Sequence, residues 1–292
     1  CVVVLAAGEG TRMRSATPKV LHAVAGRTML GHALTAAAAL DPWRTVVVVR
    51  HERDAVAAHA VAMDPTVLVA DQDDVPGTGR AVHCGLGVLD AAAHAEAVAA
   101  HADPASADLP DQVSGPVVVL AGDIPLLDGA TLAELLAAHV ADGNAVTVLT
   151  TEVADPTGYG RILREPGSGA VVGIVEHRDA DATQRAIAEI NSSVYVFDAA
   201  VLRGALGRLG RDNAQGEVYL TDVLAIARSD GGAVRAVQVD DPVLVEGVND
   251  RAQLAVLAAE MNRRIVTGWM LAGVTVVRSE ERRVGKECRS RW

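Results

Sequence analysis

The sequence predicts an α/β protein with a mostly parallel sheet and helices on both faces. Short runs of β-branched residues alternate along the chain with longer Ala- and Leu-rich stretches of helical period. Strands that are separated by helices pair in parallel, and such a sheet is buried on both faces. Hydrophobic residues make up 50% of the 292 residues and aromatic residues only 2%, so Val, Leu, Ala and Ile must form the core. This length suits one large α/β domain or two small ones.

The individual elements follow from local patterns. The strand candidates are residues 2–6, 45–49, 66–70, 116–121, 145–150, 171–175, 193–197 and 233–239. The helix candidates are residues 28–40, 52–63, 78–93, 129–141, 217–229 and 250–268. Residues 103–116, rich in Pro, Asp and Ser, predict a surface loop. The last helix should pack against the protein, because one of its faces carries Leu254, Leu257, Met261 and Ile265.

Charge and cysteine content exclude several classes of protein. The formal net charge is −11 and the pI is near 5.2, without the clustered cations that bind a nucleic-acid backbone. Cys1, Cys84 and Cys288 are widely spaced and form no C-x-x-C pair, which indicates neither a disulfide framework nor a zinc site. No apolar run approaches the ~20 residues that cross a bilayer, and the first residues do not read as a signal peptide. We expect a cytoplasmic protein with no nucleic-acid or membrane partner.

A glycine-rich turn follows the first strand. The apolar run Val2–Ala7 leads into Gly8-Glu9-Gly10-Thr11-Arg12 and then Pro18-Lys19, and Lys19 is the only lysine before residue 278. Glycines let backbone N–H groups approach phosphate oxygens, Arg offers a planar fork of donors, and Lys offers a flexible point charge. The pattern favours a polyphosphate site, although a glycine turn after a strand is also typical of a plain tight connection.

Two better-known glycine loops do not fit this turn. A P-loop has Lys and then Ser or Thr directly after its second glycine, whereas Thr11-Arg12 follow Gly10. The dinucleotide fingerprint needs a small residue where Met13 stands.

A second apolar strand ends in a carboxylate. The run Val117–Ala121 leads into Gly122-Asp123, which places the acid at the carboxyl edge of the sheet, near the glycine turn. Aspartate suits Mg²⁺, which prefers one or two carboxylate oxygens together with water and substrate phosphates. Asp123 is equally consistent with the start of the turn before Pro125. Asn249, just before the last helix, could be a neutral metal ligand or the helix N-cap.

Other polar positions are ambiguous one by one. Gly77-Thr78-Gly79 is consistent with a helix start, Gly158–Gly160 with a hairpin turn, Glu176 with a solvated charge and Asn191 with a turn.

Taken in order, these segments resemble one family. They are Leu5-Ala-Ala-Gly-Glu-Gly-Thr-Arg-Met13, Pro18-Lys-Val-Leu-His22, Gly77-Thr-Gly79, Gly122-Asp123, Asp155-Pro-Thr-Gly-Tyr-Gly-Arg-Ile162, Ile174-Val-Glu-His177, Glu189-Ile-Asn191, Asn213-Ala-Gln215, Tyr219-Leu-Thr-Asp222 and Val245-Glu-Gly-Val-Asn249. Over about residues 2–277 the chain is similar to the uridylyltransferase half of the bifunctional N-acetylglucosamine-1-phosphate uridylyltransferase/glucosamine-1-phosphate acetyltransferase family. The opening motif alone would indicate only the wider class of sugar nucleotidyltransferases.

The resemblance implies a Rossmann-like, glycosyltransferase-A-like sheet and a Mg²⁺-dependent reaction of UTP with N-acetylglucosamine 1-phosphate, which gives UDP-N-acetylglucosamine and pyrophosphate. It assigns catalysis to Arg12 and Lys19, and the metal to Asp123 and Asn249. The nucleotide contacts that it implies are Leu5, Ala6, Ala7, Gly8, Lys19, Gln72, Gly77 and Thr78. The sugar contacts that it implies are Gly122, Gly160, Glu176, Asn191 and Asn249.

The resemblance also divides the chain. Residues 1–251 would form the uridylyltransferase domain, 252–272 a linker helix and 273–292 the start of a truncated C-terminal domain. In the family, a left-handed β-helix of hexapeptide repeats follows, which carries the acetyltransferase and forms the trimer. Nothing after Val277 has that pattern, so we expect neither acetyl transfer nor the trimer. Residues 278–292 turn abruptly from Ala- and Val-rich to charged, and we expect a non-native extension there.

Three other functions stay open at this point. A dinucleotide-binding oxidoreductase is disfavoured by Met13 and by the lack of a ribose-binding acid at the expected place. A nucleotide-sugar binding module without catalysis is disfavoured because Arg12, Lys19, Asp123 and Asn249 are all present. A related transferase could use another nucleotide or sugar phosphate.

Overall fold

The structure is a computed structural model that describes residues 1–100 and 112–276. The strands are β1 (Val2–Leu5), β2 (Ala23–Val24), β3 (Arg27–Thr28), β4 (Thr45–Val49), β5 (Leu68–Asp71), β6 (Pro116–Ala121), β7 (Val146–Glu152), β8 (Arg161–Arg164), β9 (Val171–Val175), β10 (Glu189–Asp198) and β11 (Val234–Gln238). The helices are α1 (Met29–Ala38), α2 (Arg53–Met63), α3 (Thr78–Ala100), α4 (Gly129–Asp142), α5 (Ala182–Arg185), α6 (Ala199–Leu206), α7 (Asp222–Ser229) and α8 (Arg251–Leu271).

One mixed sheet of nine strands forms the centre. Seven strands follow one another in the order β11-β7-β10-β6-β1-β4-β5, and the antiparallel hairpin β8–β9 is attached to β10. Strand β1 pairs in parallel with β4 and β6, and β11 pairs in parallel with β7. Among the seven strands of this order, β10 alone runs antiparallel to its neighbours, which are β6 and β7. The predicted α/β class with a mostly parallel sheet is confirmed.

Strand β10 is antiparallel to both of its neighbours in this mostly parallel sheet. The chain reaches this strand from β7 through the hairpin β8–β9 and the four-residue helix α5. A parallel neighbour needs a connection that crosses to the opposite end of the sheet, usually through a helix of several turns. This connection returns at the same end, because Glu189 at the start of β10 pairs with Glu152 at the end of β7.

Each predicted strand and helix corresponds to an observed element, but several boundaries differ. Helix α7 begins at Asp222 instead of residue 217, because the backbone of Val218 pairs with the segment Pro76–Gly79. Strand β10 begins earlier than predicted, and α3 runs on to Ala100. Five short elements were not predicted: β2, β3, β8, α5 and α6. Most of the predicted loop 103–116 and all of the expected extension 278–292 lie outside the described residues.

Two apolar clusters cover the two faces of the sheet. Alternate residues of β1 point to opposite faces: Val3 belongs to the cluster under α3, α6 and α7, whereas Val2 and Val4 belong to the cluster under α1, α2 and α4. All three valines are buried. This burial on both faces explains why the strands are continuous apolar runs instead of alternating ones.

A third cluster attaches helix α8. Leu257 is fully buried there, and Leu254 and Met261 pack against it together with Met13. The predicted packing of this helix face is therefore confirmed for the first turns of α8. It is wrong for Ile265, which is 42% exposed. Within residues 1–100 and 112–276, no helix has the length and apolar character needed to cross a membrane.

Candidate active site

The carboxyl ends of β1 and β6 meet at one edge of the sheet. Leu5 pairs with Ala121, and the next amide, Gly122 N–H, donates to the carbonyl of Leu5 at 2.8 Å. A Cβ on Gly122 would lie 3.1 Å from that carbonyl oxygen, which is tight for any side chain. Gly122 therefore lets Asp123 leave β6 directly beside the loop that follows β1.

The glycine turn after β1 holds Lys19 in place. Gly10 has φ +66°, a left-handed conformation, and it precedes a short 3₁₀ turn at Thr11–Met13. A Cβ on Gly10 would lie 2.5 Å from Cβ of Lys19. Both the backbone angle and this close approach require glycine. The turn thus sets the distance between the Arg12 and Lys19 backbones.

Four predicted side chains converge at this edge, and we call them the edge cluster: Arg12, Lys19, Asp123 and Asn249. Oδ1 of Asn249 accepts from Nη2 of Arg12 at 2.8 Å and from Nζ of Lys19 at 3.3 Å. Nζ of Lys19 also forms an ion pair with Asp123. Two cations and two oxygen donors thus lie close together at this edge. They are separated by up to 237 residues in the sequence.

Backbone contacts bring Asn249 to this position. The N–H of Val248 donates to the carbonyl of Asp123 at 3.0 Å, so the two chain segments run side by side. Asp250 caps helix α8, with Oδ1 accepting from the amides of Ala252 and Gln253. Asn249 is therefore not the N-cap, and its side chain faces the cluster.

One contributor at this edge was missed by the sequence analysis. Nε of Arg251 donates to the carbonyl of Met13 at 2.9 Å, and its Nη2 donates to the carbonyl of Arg14 at 3.2 Å. These bonds tie the first turn of α8 to the end of the glycine turn. Arginine at a helix start is a weak signal, because such a side chain is usually solvated.

The donor set of the edge cluster fits a magnesium ion. Asp123 and Asn249 offer one carboxylate and one amide oxygen around the Lys19 ammonium, and Gly247 leaves the Asp123 carboxylate uncovered, since a Cβ there would be 3.8 Å from Oδ1. Such a site leaves most coordination positions to water and phosphate, as Mg²⁺ prefers. Within the part of the chain that the structure describes, no group of three or more His, Cys, Asp or Glu side chains could hold a metal.

Three of the predicted nucleotide residues lie on the loop between β5 and α3. Nε2 of Gln72 donates to the carbonyls of Val75 and Gly77 at 2.9 and 3.3 Å, which shapes the loop and leaves Oε1 available. Gly77 has φ +119°, and a Cβ there would lie 2.3 Å from the carbonyl oxygen of Val218. Thr78 opens α3, and its Oγ1 accepts from the amide of Leu220 at 3.2 Å.

Three of the predicted sugar residues lie together beside this loop, and we call them the cavity group: Gly160, Glu176 and Asn191. A Cβ on Gly160 would be 3.5 Å from Oε1 of Glu176 and 3.5 Å from Cβ of Asn191. The amide of Asn191 donates to the carbonyl of Gly160 at 2.9 Å. The other two predicted sugar residues, Gly122 and Asn249, lie at the sheet edge described above.

A cavity of about 220 Å³ connects the two groups of predictions. It is lined on one side by Leu5 and Thr78, on another by Glu176 and Asn191, and it is closed by residues 215–221. A β-bulge in β10 between Asn191 and Tyr195, with Ser193 at φ 63°, aims Asn191 at this space. Nδ2 of Asn191 donates to the hydroxyl of Tyr195 at 2.7 Å.

Electrostatics in the cavity are set by burial. Burial is the main cause that raises the pKa of Glu176, the Thr221 hydroxyl bond lowers it, and the nearby Asp179, Asp222 and Glu217 raise it further. Burial also raises the pKa of Tyr195, which keeps that hydroxyl neutral. The cavity wall therefore carries two carboxylates, Glu176 and Glu217, among neutral donors and acceptors, and its lining residues include no Lys or Arg.

The comparisons with known proteins decide the family. The model of the MobA-like NTP transferase domain matches residues 2–190. The chain belongs to this family. The match includes the glycine turn, Asp123, Gly160 and Glu176.

Curated relatives of this NTP transferase chain carry the name bifunctional protein GlmU. The relative from Paenarthrobacter aurescens is 57% identical over 276 residues, which are 94% of this chain and 52% of the relative. The relative from Kineococcus radiotolerans is 58% identical over 275 residues, with the same two shares. The relative from Streptomyces coelicolor is 53% identical over 276 residues, 94% of this chain and 53% of the relative.

This NTP transferase chain thus spans about half the length of the curated relatives that it matches. The resemblance drawn from the ordered motifs is confirmed by these relatives. The roles assigned to single residues are not tested by the comparisons, and they stay predictions.

Proposed function

We propose that this NTP transferase catalyses uridylyl transfer from UTP to N-acetylglucosamine 1-phosphate, with release of pyrophosphate. A phosphate oxygen of the sugar phosphate attacks the α-phosphorus of UTP, and the bond between that phosphorus and the oxygen bridging to the β-phosphate breaks. The products are UDP-N-acetylglucosamine and pyrophosphate. Because the nucleophile is already an anion, the reaction needs no general base, and the enzyme must bring two anions together in line.

The convergence of the edge cluster is the observation that supports this proposal most strongly. Arg12 and Lys19 place two cations at the end of β1, where an open α/β sheet usually binds its ligands. Two cations at that point can hold the UTP phosphates and offset the charge that develops on the departing pyrophosphate. Stabilisation of developing charge by preorganised groups is commonly worth several kcal/mol.

Asp123 and Asn249 would hold Mg²⁺. When bound, the ion would neutralise phosphate charge and help to orient the phosphates for displacement. The Lys19 ammonium contacts an oxygen of each of these two side chains.

Substrate selection follows from the loop at Gln72–Thr78 and from the cavity group. A carboxamide and backbone groups can match the donor and acceptor edge of uracil, and a site that hydrogen-bonds a group rejects analogues that lack it. Glu176 can accept hydrogen bonds from sugar hydroxyls. Gly160, with no side chain, leaves room for the N-acetyl group near the main chain. The cavity of about 220 Å³ is of a size for one sugar ring.

The fold around the glycine turn argues against the oxidoreductase alternative. In the dinucleotide fingerprint, a helix begins at the glycine loop and its N-terminus binds the pyrophosphate. Here only a three-residue 3₁₀ turn follows Gly10, and the next α-helix begins at Met29. We keep a related transferase with another sugar phosphate as the second candidate, since the edge cluster would serve it equally well.

The test is Mg²⁺-dependent release of pyrophosphate from UTP in the presence of N-acetylglucosamine 1-phosphate, with GTP and CTP, and with other hexose 1-phosphates, as comparisons. We expect release with UTP and N-acetylglucosamine 1-phosphate, and at least tenfold slower release with the others. If another nucleoside triphosphate and sugar phosphate gave equal or faster release of pyrophosphate, we would assign them as the substrates instead. No release by folded protein that binds UTP would indicate a binding module.

The remaining expectations stay predictions. They are the domain limits at residues 251 and 272 and the cytoplasmic location.

A further inference from the structure

Residues Val218–Thr221, which we call the 218–221 segment, touch both sides of the cavity. The chain was expected to be helical from residue 217, yet α7 begins only at Asp222, and Val218 pairs with the loop before α3. Gly79 N–H donates to the carbonyl of Val218, and Val218 N–H donates to the carbonyl of Pro76, both at 2.9 Å.

The pairing fixes the next residues as well. Leu220 N–H donates to Oγ1 of Thr78 at 3.2 Å. Gly77 is required by this contact, because its Cβ would lie within 2.4 Å of the backbone nitrogen and oxygen of Val218. Leu220 and Thr221 are almost completely buried, at 1% and 3% exposure.

Thr221 then reaches the other side of the cavity. Its Oγ1 donates to Oε1 of Glu176 at 3.2 Å. Tyr219, two residues earlier, donates from its hydroxyl to Oδ2 of Asp179 at 3.1 Å, in the turn that follows Glu176. The amides of Asp179 and Ala180 donate to the carbonyl of Glu176, both at 3.0 Å, so these hydrogen bonds join the turn to the backbone of Glu176.

We propose that Thr221 is a positioning residue for the sugar phosphate: held by the pairing of the 218–221 segment with the Thr78 loop, its hydroxyl orients the Glu176 carboxylate in the cavity. The inference rests on the proposed function for the identity of the ligand. It adds a residue without an assigned role, and it connects the loop expected to contact uracil with the carboxylate expected to contact the sugar.

The chemistry of the pair explains why the hydroxyl matters. A carboxylate in a partly buried cavity needs a donor to hold it in one orientation, and a hydroxyl can turn to supply one. The nearby acids Asp179, Glu217 and Asp222 repel the carboxylate, and among the described residues the Thr221 hydroxyl is the side-chain donor bonded to it. Without the hydroxyl, Glu176 keeps its neighbours but loses its orienting bond.

The test compares Thr221→Val, which keeps the shape and removes the hydroxyl, with Thr221→Ser, which keeps the hydroxyl. Thr147→Val is the matched control, because Thr147 is also fully buried and bonded through its hydroxyl, but at the start of β7, the opposite end of the sheet. We expect Thr221→Val to raise KM for N-acetylglucosamine 1-phosphate about tenfold, the loss expected for one hydrogen bond to a charged group. KM for UTP should stay within twofold, and Thr221→Ser should stay within threefold of the parent for both substrates.

A second readout does not depend on catalysis. The pKa of Glu176 can be followed by carboxyl-¹³C NMR, with Glu176→Gln identifying the signal, and it should rise in Thr221→Val but not in Thr221→Ser or Thr147→Val. An active parent enzyme whose Thr221→Val variant matches Thr147→Val in both readouts would overturn the positioning role alone, as would a Thr221→Ser variant as impaired as Thr221→Val. If the parent fails to release pyrophosphate while the NMR pattern holds, the proposed function is wrong and the orienting bond stands.

Discussion

The edge cluster and the cavity group differ in how they balance charge. In the edge cluster, Lys19 and Arg12 share the oxygen of Asn249, and Lys19 also pairs with Asp123, so the charges of Lys19 and Asp123 neutralise one another. In the cavity group, the Glu176 carboxylate accepts from the neutral Thr221 hydroxyl, and the charged groups near it are the acids Asp179, Asp222 and Glu217. Under the proposed function, the first arrangement would exchange its internal partners for phosphate and metal. The second would recognise neutral hydroxyl groups.

The two groups also differ in how the chain builds them. The edge cluster joins residues that are 230 and 237 positions apart, and it depends on Gly10 and on the segment around Val248. The cavity group comes from consecutive strands, with Gly160 before β8, Glu176 after β9 and Asn191 within β10. Substitutions in the first group should therefore reduce turnover, whereas substitutions in the second should alter substrate affinity and stability.

The largest effect should come from removing charge in the edge cluster. We expect Lys19→Met and Asp123→Asn each to reduce kcat at least 100-fold, because each removes a group that offsets or positions phosphate charge. Uridylyl transfer at saturating substrates measures this. Glu260→Gln is the control: Arg263 and Arg264 lower the pKa of this partly exposed glutamate on α8 to about 2, and a surface ion pair away from the site should not change kcat. If the variants of Lys19 and Asp123 kept kcat within threefold of the parent, the expected difference in role between the edge cluster and the cavity group would be wrong.

Beside the cavity, we expect the substitution Arg161→Met to cause a large loss of stability. Arg161 is 1% exposed and donates to the carbonyls of Tyr159 and Arg185 and to Nδ1 of His177, so it joins the chain segments beside Gly160 and Glu176. Leaving those acceptors without donors should cost about 2–4 kcal/mol of unfolding free energy. Urea denaturation measures the loss. Arg208→Met, at an exposed ion pair, is the matched control and should change stability little.

A smaller effect should separate backbone strain from contact in the glycine turn. Gly10→Ala and Gly26→Ala both place a side chain at positive φ, at +66° and +87°, but only the first meets Lys19, since Gly26 faces open space. We expect each to lose about 1 kcal/mol of stability from strain. Only Gly10→Ala should also lower kcat, by about tenfold. Equal kinetics for the two variants would mean that the turn does not position Lys19.

The smallest effect should be a pH-dependent one in the cavity. Burial raises the pKa of Glu176 above its ordinary value of 4.5, so the folded protein binds this proton more tightly than the unfolded chain does. Below pH 4.5, Glu176 is protonated in both the folded and the unfolded state, so no charge is buried on folding. As the pH rises from 4.5 through the raised pKa, folding must bury a charged carboxylate, and the parent protein loses stability. Glu176→Gln should lack this loss, so its stability relative to the parent should increase across that window. Urea unfolding at several pH values measures it, and a constant difference would contradict the shift.

Those site features could be predicted whose sequence pattern involves neighbouring residues in the chain. The glycine turn, the strand ending at Asp123 and the start of α3 at Thr78 depend on neighbours in the chain, and the structure has them where the sequence placed them. The role of Asn249 was open, because only the cap formed by Asp250 and the contact with Lys19 distinguish a helix end from a site residue. Thr221 and Arg161 gave no separate signal, since their importance comes from partners 45 and 16 to 24 residues away.

The sequence by itself determined the α/β class, the main strands and helices and the family, because periodicity, glycine positions and ordered motifs are properties of the chain. Only the tertiary structure decided that β10 runs antiparallel, that α7 begins at Asp222 instead of residue 217, and that the two cations and two oxygen donors surround one point. These outcomes depend on backbone hydrogen bonds and charges between distant segments. Such interactions exist only once the sheet has brought those segments together.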